Sequence, residues 1–219
     1  MPQIFHPSTN TFSKASIFSA IFILAGLAWV LLKFFRSPYV TNVNVPLVQP
    51  VQFSHIRHVE GLGIDCRYCH VSVEESSFAD VPSTHTCMTC HSQIWVDSPA
   101  LAPVRESFQS GVPLRWNRVN DLPDFAYFNH KIHVAKGIGC ETCHGRLDQM
   151  PLTWKAETLY MEWCLDCHRN PEAYIRPKEN VFDLGWVPEG EQIRLGQTLV
   201  EHYAIAPPNE LDDCTICHR

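Results

Sequence analysis

Five copies of one five-residue pattern limit what this chain can fold into. They are Cys66-Arg67-Tyr68-Cys69-His70, Cys87-Met88-Thr89-Cys90-His91, Cys140-Glu141-Thr142-Cys143-His144, Cys164-Leu165-Asp166-Cys167-His168 and Cys214-Thr215-Ile216-Cys217-His218. These pairs use all ten cysteines, so none is left for a separate disulfide or a nucleophile. CxxC pairs also bind zinc or close on themselves. Neither use requires a histidine directly after every second cysteine, and here all five pairs have one. CxxCH is the attachment pattern for c-type haem, in which two thioethers hold the porphyrin and the histidine is an axial ligand. The sequence therefore predicts five covalently bound haem c groups, attached through Cys66, Cys69, Cys87, Cys90, Cys140, Cys143, Cys164, Cys167, Cys214 and Cys217. Their first iron ligands are His70, His91, His144, His168 and His218. Haem of this type is attached outside the bacterial cytoplasmic membrane, which puts these residues on the periplasmic side.

The same reasoning orients the N-terminus. Ile17 to Leu32 is apolar except for Ser19 and Gly26. Phe34 and Phe35 extend it, with Lys33 snorkelling, to the length that spans a bilayer, about seventeen to twenty-five residues. No small-x-small cleavage site follows in Lys33-Phe34-Phe35-Arg36-Ser37-Pro38, so a retained single anchor is expected rather than a signal peptide. Lys14 precedes the apolar run and Lys33 and Arg36 follow it, which leaves the positive-inside rule close to neutral. The haem motifs decide the side: a cytoplasmic N-terminus, an inner-membrane anchor and a periplasmic remainder.

Composition adds two limits. Hydrophobic residues make up 45% and charged residues 18%, near the averages of folded domains, so a disordered chain is not expected. The formal charge of −6 makes nucleic acid an unsuitable partner.

An internal repeat organises the rest. Phe53-Ser54-His55-Ile56-Arg57-His58 leads into the first motif, and Phe128-Asn129-His130-Lys131-Ile132-His133 into the third. Cys66 lies eight residues after His58 and Cys140 seven after His133. Duplication of a two-haem module accounts for this. The expected layout is 1–37 cytoplasmic N-terminus and anchor, 38–52 a proline-bearing extended tether, 53–105 a first dihaem module, 106–125 a connector, 126–178 a second dihaem module and 179–219 a segment with the fifth motif.

The expected fold class is mainly α with much irregular structure, built from two dihaem modules and a fifth haem behind one transmembrane helix. Cysteines at i and i+3 and a histidine at i+4 share one helix face, so each motif should sit in a short helix. No clean strand alternation is present. Modules of about fifty residues rarely hold together on apolar side chains alone. The haems should serve as their core, and haem-free chain should be largely unfolded.

The sixth iron position decides between electron transfer and substrate binding. Histidines outside the motifs are His6, His55, His58, His85, His130, His133 and His202. His6 precedes the anchor. His55/His58 and His130/His133 stand out because their spacing recurs behind the same phenylalanine. Tyr68, Trp95, Trp163 and Phe128 adjoin the motifs and are expected to pack on porphyrin edges. No Rossmann or P-loop phosphate site, Ser/His/Asp triad or paired-carboxylate arrangement is present.

FxHxxH followed by CxxCH resembles the small multihaem cytochromes of the c3/c7 type. In that family the first histidine is the distal ligand of the haem that follows, and the second reaches a later haem. The resemblance implies His55 for the Cys66/Cys69 haem, His58 for Cys87/Cys90, His130 for Cys140/Cys143 and His133 for Cys164/Cys167. A third family histidine lies before the second CxxCH. The matching place here, in Tyr160-Met161-Glu162-Trp163-Cys164, holds Met161, which makes it the first candidate for the fifth haem. His202, Met150 and His85 are the alternatives; Met88, inside a CxxC loop, is poorly placed.

The whole layout is also similar to the pentahaem membrane-anchored subunit of alternative complex III. That resemblance rests on Phe53 to His70, Val81-Pro82-Ser83 with the second motif, Phe128 to Gly145, and Met161 to Arg169. It implies an electron-carrying subunit of a quinol-oxidising complex rather than a stand-alone enzyme. Its partners would be integral membrane quinol-binding subunits, an iron–sulfur periplasmic subunit, and a monohaem cytochrome c or terminal oxidase as acceptor. A membrane-anchored quinol dehydrogenase feeding a periplasmic reductase is the alternative. Pentahaem nitrite reductases carry lysine in one motif, whereas all five motifs here end in histidine.

Overall fold

The computed structural model describes residues 4–218. The chain divides into two units with a boundary between Asn42 and Val43. Among the described residues there is no regular β-strand, only one long helix, further short helices, turns and three isolated bridges.

The first unit is one long helix with a short one behind it. Helix α1 (Ser8–Phe35) has 28 residues and buries no side chain. At 1.5 Å per residue it is about 42 Å long, more than the roughly 30 Å hydrocarbon core it would cross. It is long and apolar enough to span a membrane. It begins nine residues before Ile17, where the apolar run starts. Once the run has nucleated a helix, adding Ser and Thr residues costs little per residue. Helix α2 (Pro38–Thr41) starts on a proline, whose missing N–H is no loss there, and stops at Asn42 in the left-handed region.

In the second unit, residues 43–49 are not a free tether. Val43 bridges Lys155 and Pro46 bridges Trp154, with Asn44 N–H donating to the Lys155 carbonyl at 2.8 Å. Pro46, with Pro50 just beyond, keeps this stretch extended, and its unpaired backbone groups find an equally extended partner. The connector is similarly engaged. Helix α3 (Cys66–Cys69) carries the first motif and α4 (Thr84–His91) the second. Helix α5 (Ala102–Ser110) packs on α4, buries Val104 and Ser107, and ends at Gly111 in the left-handed region. The expected 105/106 boundary thus falls inside a helix. Beyond it, Asn117 and Gln49 exchange two hydrogen bonds of 2.9 and 2.8 Å.

The second half continues with α6 (His130–Ala135), α7 (Cys140–His144) and α8 (Met161–Arg169). Helix α9 (Gln192–His202) packs on the turn Pro171–Ala173, and Gln192 donates to the Glu172 and Ile175 carbonyls. Helices α10 (Pro208–Leu211) and α11 (Cys214–Cys217) follow. Tyr127 N–H donates to the Cys217 carbonyl at 2.8 Å, which ties the last motif to the start of this half. Residues 179–218 therefore belong to the same body as 126–178. Gly137, at φ +80°, lies so close to the Arg176 carbonyl that a Cβ would come within 2.4 Å of it. Its lack of a side chain lets Arg176 N–H donate to its carbonyl at 2.8 Å beside the Ile138–Ile175 bridge.

The apolar core is small. Val51, Val73, Val104, Met150, Ile175, Val181 and Leu199 are the buried hydrophobic residues described.

Candidate functional site

All five CxxCH motifs lie on short helices, so each histidine stands one turn beyond its first cysteine. Asp65 caps α3 through Arg67 N–H at 2.8 Å, and Asp213 caps α11 through Thr215 N–H at 2.8 Å. None of the ten cysteines is joined to another in a disulfide. Burial pushes the Cys140 and Cys143 thiols up to about 12 and the Cys167 thiol up to about 11. That is the reverse of the electropositive setting that activates a nucleophilic cysteine.

The two FxHxxH copies fold to the same local arrangement. Phe53 meets His55 edge-on at 4.9 Å and stacks on His58 at 4.4 Å. Phe128 meets His130 edge-on at 4.8 Å and stacks on His133 at 4.4 Å. The phenylalanine thus orients both imidazoles, a task beyond the porphyrin packing expected of Phe128. The copies differ in winding. His130–Ala135 is α-helical, whereas Ile56–Glu60 is a π-helical turn. The first copy has one residue more between its second histidine and the next cysteine, and a π-turn absorbs one extra residue.

Each copy is anchored by the other half of the unit. Ile56 N–H donates to the Met150 carbonyl at 3.1 Å, and His55 Nδ1 lies 3.0 Å from Thr153 Oγ1. In return, His130 N–H and Lys131 N–H, unpaired donors at the start of α6, reach the Ser77 and Ser76 carbonyls at 3.2 and 3.1 Å. The two FxHxxH stretches are thus each tied to the other half of the unit.

In the second unit nine histidines share one feature: Nδ1 is tied down. It meets a backbone carbonyl in His58 (Ser54, 2.9 Å), His70 (Asp80, 2.7 Å), His91 (Ile94, 3.3 Å) and His130 (Ser77, 2.8 Å). The same holds for His133 (Asn129, 2.7 Å), His168 (Leu211, 2.9 Å) and His218 (Phe125, 2.9 Å). His55 uses Thr153, and His144 lies 2.9 Å from the Asn120 amide. A carbonyl accepts only from Nδ1–H, so Nε2 is left with its lone pair free for a metal. Burial reinforces the neutral form: it lowers the pKa of His55 and His144 to about 4, and that of His133 below its ordinary value. His85 and His202 have no such tie; His85 packs on Phe108 and His202 on Tyr203.

The rings also pair. His58 and His91 have centres 6.2 Å apart, His130 and His144 6.3 Å, and His133 and His168 6.2 Å. An imidazole nitrogen binds a transition metal at roughly 2.0–2.1 Å and its ring centre lies about 1 Å further back, so two imidazoles on opposite sides of one iron have centres roughly 6 Å apart. His55 and His70 lie close enough for the charge of one to lower the pKa of the other. Paired thiols, free Nε2 atoms and this spacing together fit haem c.

Proximity orders the motifs. The Cys69 thiol feels the charge of Cys87, Cys140 that of Cys66, Cys143 those of Cys164 and Cys167, and Cys164 that of Cys217. Tyr68 also bridges the first motif to the second through Thr89 Oγ1 at 2.8 Å. The sequence of neighbours is second, first, third, fourth, fifth, with the third in the middle. Of the four candidates for the fifth haem, Met161 alone lines a cavity with Cys214, Cys217 and His218. Met150 is in the core at 2% exposure.

The Nδ1 partners were not readable from the sequence. Carbonyl acceptors carry no residue signature, and Asn120 and Thr153 lie far along the chain from His144 and His55 in stretches without a motif.

Comparison with known proteins agrees with this chemistry. Residues 126–219 match the family described as cytochrome c7 and related cytochrome c. A relative from Nitratidesulfovibrio vulgaris (strain Hildenborough), the multihaem cytochrome c subunit of menaquinone reductase, is 39% identical over 56% of this chain and 68% of its own length. The family implies covalently bound haem c, and the match runs unbroken across residue 178 as the packing does. With CxxCH motifs on helices, imidazoles tied at Nδ1 and a relative matched over two thirds of its length, the chain belongs to the multihaem c-type cytochromes.

Proposed function

We propose that the chain is the five-haem electron-carrying subunit of a membrane quinone-linked respiratory complex of the alternative complex III type. The observation that carries this is the set of imidazole pairs at the spacing of two axial ligands on one iron, since iron held on both sides passes electrons and does not bind substrate. The haems, once attached, supply one-electron iron chemistry. The chain's own residues would attach them and hold each tied Nδ1 proton on a fixed acceptor. In this reading His55 and His70, His58 and His91, His130 and His144, and His133 and His168 would each hold one iron between them, and Met161 with His218 would hold the fifth. Helix α1 anchors the subunit in the bacterial inner membrane with the motifs on the periplasmic side. Integral quinol-binding subunits and an iron–sulfur subunit are its donors, and a cytochrome c or terminal oxidase its acceptor.

A second direction of flow is favoured by the relative, whose name places it in a menaquinone reductase. Electrons would then run from the haems to quinone. Purification in mild detergent with identification of the co-purifying chains, followed by addition of menaquinol or menaquinone, tests both. Haem reduction by menaquinol that requires integral partners supports the first direction; oxidation of pre-reduced haems by menaquinone supports the second. Reduction of the isolated chain by quinol would replace both with a quinol dehydrogenase.

A further inference from the structure

We propose that Asn120 is a positioning residue that sets the potential of the haem at the third motif by holding the Nδ1 proton of His144. This rests on the reading of His144 as an axial ligand.

Seven of the nine tied imidazoles use backbone carbonyls, as described above, and those acceptors are the same whatever the side chain. His144 instead meets a side-chain amide. Asn120 Nδ2 lies 2.9 Å from His144 Nδ1, and Asn120 Oδ1 is buried with no hydrogen-bond partner. An imidazole that gives Nε2 to iron keeps its proton on Nδ1, and two donors cannot share a hydrogen bond. The two ends of the amide are alike in shape, so they exchange places and Oδ1 accepts from His144 Nδ1–H. Among the described residues the side chain of Asn120 has no other hydrogen bond, so its role is directed at His144.

The strength of that acceptor controls how much electron density Nε2 gives to the iron. A stronger acceptor draws the Nδ1 proton away, makes the ring more imidazolate-like and favours the oxidised iron. Loss of the acceptor does the opposite. The neutral amide holds the haem between these limits. Because the third motif is the middle of the five, its potential decides how readily electrons pass from one half of the chain to the other.

The test compares Asn120→Asp and Asn120→Leu in the full haem-loaded protein. Haem content is measured by pyridine haemochrome, coordination by electron paramagnetic resonance, and the potentials by redox titration. One potential should fall in Asn120→Asp by at least a tenfold change in its redox equilibrium, about 59 mV for one electron, and rise in Asn120→Leu, while the others hold. If Asn120→Leu fails to mature, the fall in Asn120→Asp decides alone. Unchanged potentials in fully loaded Asn120→Asp, a shift of the same sign in both variants, or loss of all haems from both would overturn the proposal. Failure of the axial reading itself would be visible earlier, as absence of bis-imidazole low-spin signals in the wild-type protein.

Discussion

The imidazole planes of His58 and His91 cross at 65°, whereas those of His130 and His144 lie within 10° of parallel. His133 and His168 are also close to parallel, at 23°. The ring orientations are set by the Nδ1 ties and by Phe53 and Phe128, so they are features of the folded chain. Parallel imidazoles donate into the same iron d orbital and split it from its partner; crossed imidazoles leave the two close in energy. Electron paramagnetic resonance of the oxidised protein should therefore show two rhombic low-spin signals, from the third and fourth motifs. A strongly anisotropic low-spin signal should come from the second motif and disappear in His58→Ala. A rhombic signal lost in His58→Ala would contradict the pairing.

The five CxxCH motifs and the doubled FxHxxH are local patterns, and each folds as a local unit: the motifs sit on short helices, and Phe53 and Phe128 each pack on their two histidines, a contact the sequence did not announce. What could not be read were relations between distant segments. Residues 38–52 looked like an extended tether because of Pro38, Pro46 and Pro50, yet Pro38 opens helix α2, and Thr153 to Lys155 supplies the partner that docks Val43 to Leu47. Residues 106–125 looked like a connector because they lack a motif, yet they hold Asn120. The π-turn at Ile56–Glu60 was implicit in one extra residue, but nothing local says whether such a residue is looped out or wound in.

Met161 is exposed for 60% of its surface in the cavity it shares with His218. A thioether ligand raises a haem's potential relative to imidazole. Met161→Leu should abolish the near-infrared charge-transfer band of His/Met ligation and leave the bis-imidazole signals intact. Met161→His should lower the potential of one haem. Retention of that band in Met161→Leu would send the search for the fifth ligand elsewhere.

Gly196 is buried in α9, and a Cβ there would lie 1.9 Å from the Glu172 carbonyl oxygen. Backbone cannot yield to a methyl group, so Gly196→Ala must lift α9 off the turn Pro171–Ala173. Overpacking of this kind costs about 1–3 kcal/mol, and the rigid neighbour puts it at the upper end. A lower thermal midpoint should accompany a disturbed haem at the fourth motif, because the chain after α9 brings Leu211 to His168. The first and second motifs should be unaffected in visible absorption.

Asp148 is 4% exposed and is held by Arg146 through hydrogen bonds of 2.9 and 2.5 Å. The Arg146 guanidinium keeps its carboxyl below the ordinary value of 3.8, against burial, which raises it. The unfolded chain therefore takes up this proton first as the pH falls. The pair stabilises the protein above the ordinary carboxyl value and ceases to do so as the pH drops through the lower folded-state value. Asp148→Asn should be less stable than wild type in denaturant titrations at about pH 7, and the gap should narrow at about pH 3. A gap that widens in acid would show that the ion pair is not the source.

Porphyrin, more than aliphatic side chains, should hold the second unit together. Only Val51, Val73, Val104, Met150, Ile175, Val181 and Leu199 are buried hydrophobic residues among those described. A chain that orders a residue's backbone loses roughly 1–2 kcal/mol of entropy each time, while burying a large aliphatic side chain returns about 1.5–3 kcal/mol. Seven such side chains cannot order residues 43–218, so most of the compensating burial must come from porphyrin. The histidine pairs agree: ring centres more than 6 Å apart gain little from each other without a group between them. Chain expressed without haem attachment should give a largely disordered far-UV circular dichroism spectrum for 43–218, with helical signal confined to α1. Cys140→Ser with Cys143→Ser should be the most damaging motif knockout, since the third motif lies near enough to both the first and the fourth for their thiols to feel each other's charge. Cys87→Ser with Cys90→Ser, at one end of the row, should be tolerated best. Native-like dichroism from haem-free protein, or equal loss from both knockouts, would show that the polypeptide supplies its own core.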